Sequence, residues 1–408
     1  MVKVKEQLEI LQKGAKEIIP LAALEQKLLK SATKKEPLKV KFGLDPTAKD
    51  LHIGHTVVFK KLRQFQELGH IIQLVIGDFT ACIGDPTGKV KTRKQLSYEE
   101  VKENAKTYTD QLFKILKKDS VTIYYNSSWL NKMSFLDVIN LSSKSTVARM
   151  LEREDFAKRF DEGSSISLHE FLYPLIQGYD SVVLKSDIEI GGTDQKFNLL
   201  MGRQLQKDFG QEEQVVILMP LLEGLDGLKK MSKSLGNYIS LTDDPKQMYG
   251  KAMSLPDNLM LKYFSLVTDI TDEELASLKK SLEAGKLNPR DAKMKLSYML
   301  VAKYHNEDEA LKAEEYFKEA FQQRVIPKDI ATVSLSKEEV LGKWLVSFLV
   351  QLGLVETNSQ ARRMIEQGAV RINGKKISDV DFRLPVEIET KELVLQVGKR
   401  RFKKILIH

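Results

Sequence analysis

Apolar positions recur along this chain with two different periods. From Val4 to Leu29 the spacing is helical and predicts an amphipathic helical region. Leu38 to Leu44 alternates with period two and stops at Asp45-Pro46, as a strand does. Helical spacing returns from His55 to Leu68 through Val58, Leu62 and Phe65, with Gly69 as a stop. Ile71 to Ile76 is a short apolar run suited to a parallel strand buried on both faces. Strand, turn, helix and buried strand form the βαβ pattern of a doubly wound sheet. Ser181 to Ile190, ahead of Gly191-Gly192, and Val215 to Leu218 predict further strands.

After Tyr238 the texture changes. Asp244-Pro245 and Asn288-Pro289 are helix-start signals, and helix formers dominate as far as Gln323. Leu345–Leu354 and Ser359–Gln367 predict two short helices. Val370–Ile372 and Leu393–Val397 predict strands, with Asn373-Gly374 as a tight turn. The expected organisation is an α/β, Rossmann-like doubly wound parallel sheet over 1–238 and a helical domain over 239–323. A linker carrying Pro327 follows over 324–341, then a small α+β domain over 342–408.

Composition narrows the choices. With 408 residues, 42% of them hydrophobic, the chain can bury at least one large core and is not generally disordered. The net charge is +8. From Gly342 onward there are 13 Lys/Arg against 7 Asp/Glu, so most of the surplus lies in the last segment. That distribution suits a polyanionic partner. The single cysteine, Cys82, can build neither a disulfide framework nor a thiolate metal cluster, which fits a reducing cytoplasm. The first twenty residues lack the apolar core of a signal peptide, and no run is long enough to span a bilayer.

Two short motifs carry the chemistry. His52-Ile-Gly-His55 opens a helix just past a strand, where free amides and a positive dipole attract phosphate. Gly54 lets a flat group approach the backbone, and the imidazoles can donate to phosphate oxygens. Two histidines with no third ligand beside them make a poor metal site. Lys230-Met-Ser-Lys233-Ser lies in a Gly/Asp-rich loop, where two lysines can neutralise a departing pyrophosphate. Gly84-Asp-Pro-Thr-Gly88-Lys89-Val90 is not a P-loop. It is one residue short between its glycines, and Val90 replaces the required hydroxyl. Tyr173, Gln177 and Asp180 share one helical face, a polar stripe suited to a pocket.

Phe42-Gly-Leu-Asp-Pro-Thr-Ala-Lys-Asp-Leu-His-Ile-Gly-His resembles the first signature of the class I aminoacyl-tRNA synthetases in its tyrosyl version, and Lys230–Ser234 resembles the second. The resemblance implies a tyrosine–tRNA ligase that takes ATP and L-tyrosine as substrates and tRNA as partner. Mg²⁺ would accompany ATP without a dedicated protein site, and the family is homodimeric. By resemblance, His52, His55, Lys230, Lys233, Lys89 and Arg93 stabilise phosphoryl charge. Asp45, Gly54, Gly192, Asp194, Met231 and Lys233 bind ATP. Tyr173, Gln177 and Asp85 take the substrate ammonium, Gln195 its carboxylate and Asp180 its phenol. Lys41 departs from the pattern, because many members carry a second tyrosine there. Leu345–Leu406 resembles a small RNA-binding domain, with Arg362, Arg363, Arg371, Lys375 and Lys376 as its basic face and Lys399–Lys404 as a further patch. Two alternatives remain at this stage. One is a tryptophanyl or other class I synthetase, and the other a catalytically retired RNA-binding protein on the same scaffold.

Overall fold

The computed structural model describes residues 2–47, 50–86, 98–319, 330–385, 392–398 and 401–408. The chain falls into two compact units, Met1–Ala310 and Leu311–His408. Lys89 and Arg93 lie outside the described residues, as do Lys399 and Arg400.

The first unit is built on six strands: β1 (Glu17–Ile19), β2 (Lys39–Leu44), β3 (Ile71–Ile76), β4 (Val121–Tyr125), β5 (Ile188–Gly192) and β6 (Val215–Met219). Their spatial order is β1-β6-β5-β2-β3-β4. All neighbours are parallel except β1, which pairs antiparallel with β6. β3 and β6 are near-continuous apolar runs, as strands covered on both faces must be. From β2 the chain proceeds outward to β3 and β4, whereas β5 and β6 lie on the other side. The direction reverses between β2 and β5, and a crevice opens at the carboxyl ends of these strands.

The long helix Ile53–Glu67 follows β2 and holds its neighbours through two adjacent lysines. The ammonium of Lys61, buried, donates to the carbonyls of Ile10 (3.1 Å), Leu11 (2.9 Å) and Lys13 (2.7 Å), capping the end of helix Val4–Gln12. Lys60 donates to the Thr268 carbonyl at 2.6 Å, just past helix Met260–Val267. The helical stretch after Tyr238 belongs to this same unit. Asp244 caps Pro245–Met253 and Asn288 caps Pro289–Tyr304, each with proline in the first turn.

In two places this unit departs from the pattern expected of its sequence. The N-terminal helical region is two helices, Val4–Gln12 and Leu21–Lys34, interrupted by β1. Three residues are too few to show a period, so pairing with β6 decides their conformation. Ser181–Leu184 is not strand but the last turn of helix Leu168–Leu184. That helix packs on helix Lys196–Asp208 through two glycines. A Cβ on Gly178 would come within 3.0 Å of the Gly202 amide, so helix packing overrides the strand preference of Val182 and Val183. β4, partly exposed, was not foreseen.

The second unit holds β7 (Thr332–Leu335), β8 (Val370–Ile372), β9 (Lys375–Ile377), β10 (Glu392–Val397) and β11 (Arg401–Ile407), in the order β7-β11-β10-β8-β9. Helices Leu345–Gln351 and Asn358–Glu366 pack on it around Phe348, Leu349, Ile365, Leu395 and Ile405. Asn373 and Gly374 both take positive φ, 48° and 79°, as a two-residue hairpin turn between β8 and β9 demands. Part of the stretch read as linker is structured. β7 pairs parallel with β11, and Lys337–Val340 is a short helix. Four alternating residues beside a proline region give too weak a signal to reveal that strand.

Candidate active site

At the crevice between β2 and β5 lies a cavity of about 770 Å³. Its wall includes Asp45, His52, Gly54, His55, Asp85, Tyr173, Gln177, Asp180, Gly192, Asp194, Gln195, Lys230, Met231 and Lys233. Residues spread over almost two hundred positions of sequence thus converge on one space.

One end is cationic. His52 is the N-cap of helix Ile53–Glu67, and its backbone amide donates to Nδ1 of His55 at 3.2 Å. The two rings lie 4.0 Å apart between centroids. A Cβ on Gly54 would meet Nδ1 of His52 at 2.9 Å, so only glycine lets that ring lie over the helix start. Burial pushes His55 down to about 4 and holds His52 still lower, with the His55 and Lys233 charges adding to the effect on His52. Both imidazoles are therefore neutral at pH 7 and act as hydrogen-bonding groups rather than cations. Nδ1 of His52 and Nζ of Lys233 are buried without a partner among the described residues. Burial lowers the Lys233 ammonium to about 8. Lys230 forms a 2.7 Å ion pair with Asp194. A Cβ on Gly192 would come within 2.6 Å of the Asp194 carboxylate, which explains the glycine.

The other end is a polar network. The Tyr173 hydroxyl donates to Asp45 at 2.8 Å, and Thr80 donates to the other oxygen at 2.7 Å. Gln195 donates to Asp85 at 2.8 Å. Asn198 donates both to Gln195 (3.0 Å) and to Gln177 (2.9 Å). Arg153, 5% exposed, bonds Asn198 at 3.2 Å and Asp85 at 3.4 Å. Asp180 is 2% exposed and accepts from the Trp129 indole at 2.9 Å and from Asn126 at 3.4 Å. Burial pushes its carboxyl up to about 7, against the opposing pull of Lys41 and of these two donors.

Trp129, Asn126, Thr80, Asn198 and Arg153 were not singled out from sequence. Asn126 and Trp129 follow β4, the strand that was also missed, and no motif marks them. Lys41 does not line the cavity. Its ammonium pairs with Glu189 at 2.9 Å and donates to Ser181 (2.7 Å) and to the Gln177 carbonyl (3.0 Å).

This arrangement has known counterparts. The family profile described as tRNA synthetases class I (W and Y) matches residues 33–322. A tyrosine–tRNA ligase of Moorella thermoacetica is 54% identical over 400 residues, 98% of this chain and 95% of that one. A tyrosine–tRNA ligase of Carboxydothermus hydrogenoformans is 55% identical over 404 residues, 98% of each chain. The chain belongs to the tyrosine–tRNA ligase family of class I aminoacyl-tRNA synthetases. A second profile, for the C-terminal domain of such ligases, matches residues 321–405. The fold agrees with that of tyrosyl-tRNA synthetase from Archaeoglobus fulgidus in complex with L-tyrosine. Its TM-score is 0.62 at 23% identity, covering 76% of this chain and all of that one. Membership in the tyrosyl family answers the tryptophanyl alternative.

In the second unit, the basic residues singled out are differently engaged. Arg362 and Arg363 are exposed on helix Asn358–Glu366, with the Arg362 guanidinium 4.9 Å over the Trp344 ring. Arg371 donates to the Gly374 carbonyl at 3.0 Å, and Lys375 and Lys376 are exposed. In the further patch, Arg401 donates to the Leu354 carbonyl at 2.8 Å and Lys403 to that of Leu352 at 2.5 Å. Lys404 pairs with Glu392 at 2.7 Å. These three side chains tie β11 to helix Leu345–Gln351 and to β10.

Proposed function

We infer that this chain activates L-tyrosine with ATP and transfers it to the 3′ end of its tRNA. The observation that carries the reading is the single cavity. A cationic end suited to a triphosphate meets a polar end that closes on a buried carboxylate, Asp180. The tyrosine carboxylate attacks the α-phosphorus, pyrophosphate leaves, and the tRNA terminal hydroxyl then takes the tyrosyl group from the adenylate. No protein nucleophile is required. His52 and His55, neutral at the helix N-terminus, donate to phosphoryl oxygens, while Lys230 and Lys233 meet the charge that develops on pyrophosphate. Lys89 and Arg93 would add their own charges to these. Asp194 takes the ribose once Lys230 turns to the phosphates, with Gly54, Gly192, Met231 and Asp45 shaping the ATP end. Tyr173, Gln177 and Asp85 hold the ammonium and Gln195 the carboxylate, each already oriented by its own hydrogen bonds.

Asp180 accepts the phenol. A site built to bond a hydroxyl strongly rejects the analogue lacking it, and tyrosyl-tRNA synthetases are themselves the well-known case. Mg²⁺ would arrive on the ATP phosphates. The carboxylates of the wall are bonded to protein donors, and the ion would take its oxygens mainly from the phosphates and water. Arg362, Arg363, Arg371, Lys375 and Lys376 contact the tRNA backbone.

The protein works as a homodimer in the cytoplasm. Support for the dimer comes from Phe135, Leu136, Ile139, Val147, Phe160 and Leu168, each at least 50% exposed on one stretch of the first unit. Phe135→Asp should shift the sedimenting species from dimer to monomer, and an unchanged dimer would remove that face from the interface. Amino-acid-dependent ATP–pyrophosphate exchange tests the activity itself. Exchange with tyrosine alone is expected, and no exchange with any amino acid would return the chain to a retired scaffold.

A further inference from the structure

Among the described residues, Lys41 and Glu189 form the most enclosed ion pair near the site, their side chains 1% and 2% exposed. They are direct neighbours in the parallel pairing of β2 with β5, at the point where the sheet reverses direction. A buried pair in the middle of a sheet is no gain over apolar residues of the same size, because desolvation offsets the attraction. Its position relative to Asp180 gives it another use. Lys41 also donates to Ser181, the next residue after Asp180, and to the carbonyl of Gln177. Glu189 accepts from Ser181 at 3.1 Å and lines the cavity. The pair therefore grips the helix turn that carries both Gln177 and Asp180.

We propose that Lys41 and Glu189 are positioning residues for tyrosine recognition, fixing the turn that bears Asp180 and placing one charge of each sign next to it. The proposal rests on Asp180 being the phenol acceptor. The charged groups facing Asp180 are Lys41 from β2 and Glu189 from β5, with opposite effects on its ionisation. Segment 126–130 contributes only the neutral donors Asn126 and Trp129. Thr80 contributes a hydroxyl that Asn126 bonds at 3.1 Å and that links onward to Asp45. Helix Lys196–Asp208 approaches the Asp180 helix through Gly202, whose missing Cβ leaves room for Ser181 and Glu189.

Because the two charges act in opposite directions, single neutralisations must move Asp180 oppositely. The readout is the acid limb of kcat/KM for tyrosine in pyrophosphate exchange, which follows ionisation in the free enzyme. Glu189→Gln should move that limb to lower pH by about one unit, and Lys41→Met should move it up by a similar amount. A role confined to holding the fold would lower activity without moving the limb in opposite directions. Should Lys41→Met yield no folded protein, Glu189→Gln decides alone. A limb that stays put or rises in Glu189→Gln overturns the proposal. Asp180→Ala, assayed beside them, separates the two ideas. If Asp180→Ala, which has no acceptor left, rejects phenylalanine as well as the unaltered protein does, the phenol reading fails and takes this proposal with it. If it loses that discrimination while the limb stays put in Glu189→Gln, only the role of the pair falls.

Discussion

Lys233 brings its amine into the cavity wall with no acceptor among the described residues, 5.7 Å from the ring centre of Tyr108. Burial has already weakened its hold on a proton, so its charge is complete below about pH 8 and is lost as pH rises through that value. The kcat/KM for ATP should therefore fall on the alkaline side near pH 8, and Lys233→Arg, charged throughout, should remove that fall. Lys233→Met should cost about 10²–10³ in kcat, the usual loss for one preorganised group facing developing charge. Single-turnover formation of tyrosyl-adenylate across a pH series would check both. Trp129→Phe strips one donor from a buried carboxylate and should raise the KM for tyrosine about tenfold. Steady-state exchange kinetics, with phenylalanine as the competing substrate, would measure it. At this scale the sequence exposed residues that sit in motifs and concealed those that support them. His52, Lys230 and Asp180 announce themselves by spacing, whereas Trp129 and Asn126 reach Asp180 from the short helix Ser127–Leu130 and its N-cap, about fifty residues away, and only the fold brings them there. Lys41 was legible as an oddity, and its partner Glu189 could be found only from the register of β2 against β5.

Between the elements, helices Leu168–Leu184 and Lys196–Asp208 meet closely at Gly178 and Gly202. Gly202→Ala would drive a methyl to 2.9 Å from both Ser181 Oγ and Gln214 Nε2, and to 3.2 Å from Glu189. All three are buried. The cost should be about 1–3 kcal/mol in urea unfolding, with a fall in tyrosine affinity because the same turn carries Asp180. Gly202→Ser should be worse still, and a stability equal to the unaltered protein would mean the helices can separate freely. Long periodic elements such as Ile53–Glu67 and apolar runs such as β3 were readable in advance, since their own pattern determines them. β1, β4, β7, β9 and β11 were not, the last because Lys403 and Lys404 interrupt its alternation and it reads as a basic patch. The first four are three to five residues long, and each is a strand because of what lies beside it. The last turn of helix Leu168–Leu184 shows the same competition from the other side, because two glycines in contact outweigh two valines.

The profile for the C-terminal domain begins at residue 321, after helix Glu307–Phe317, and that sets where the chain can be cut. Removal of residues 321–408 should leave tyrosine-dependent pyrophosphate exchange intact while tRNA charging falls at least tenfold, by loss of the phosphate contacts. A filter-binding and charging assay would show this, and full charging by the shortened chain would refute the RNA role. A cut at residue 342 is a poorer test, because it leaves β7 behind without β11. The first unit has a different dependence on its own beginning. β6 is Val-Val-Ile-Leu-Met, buried throughout, and three residues near the start of the chain cover its outer rim. The covering strand is synthesised about two hundred residues before the strand it protects. Until the two meet, β6 is a naked, uncharged template on which another unfinished copy can add itself. Yield in the cell is thus sensitive to residues far from any substrate. Glu17–Ile19 guards against inclusion bodies, and proline in place of Ile18 should turn soluble product into aggregate before it alters a single kinetic constant.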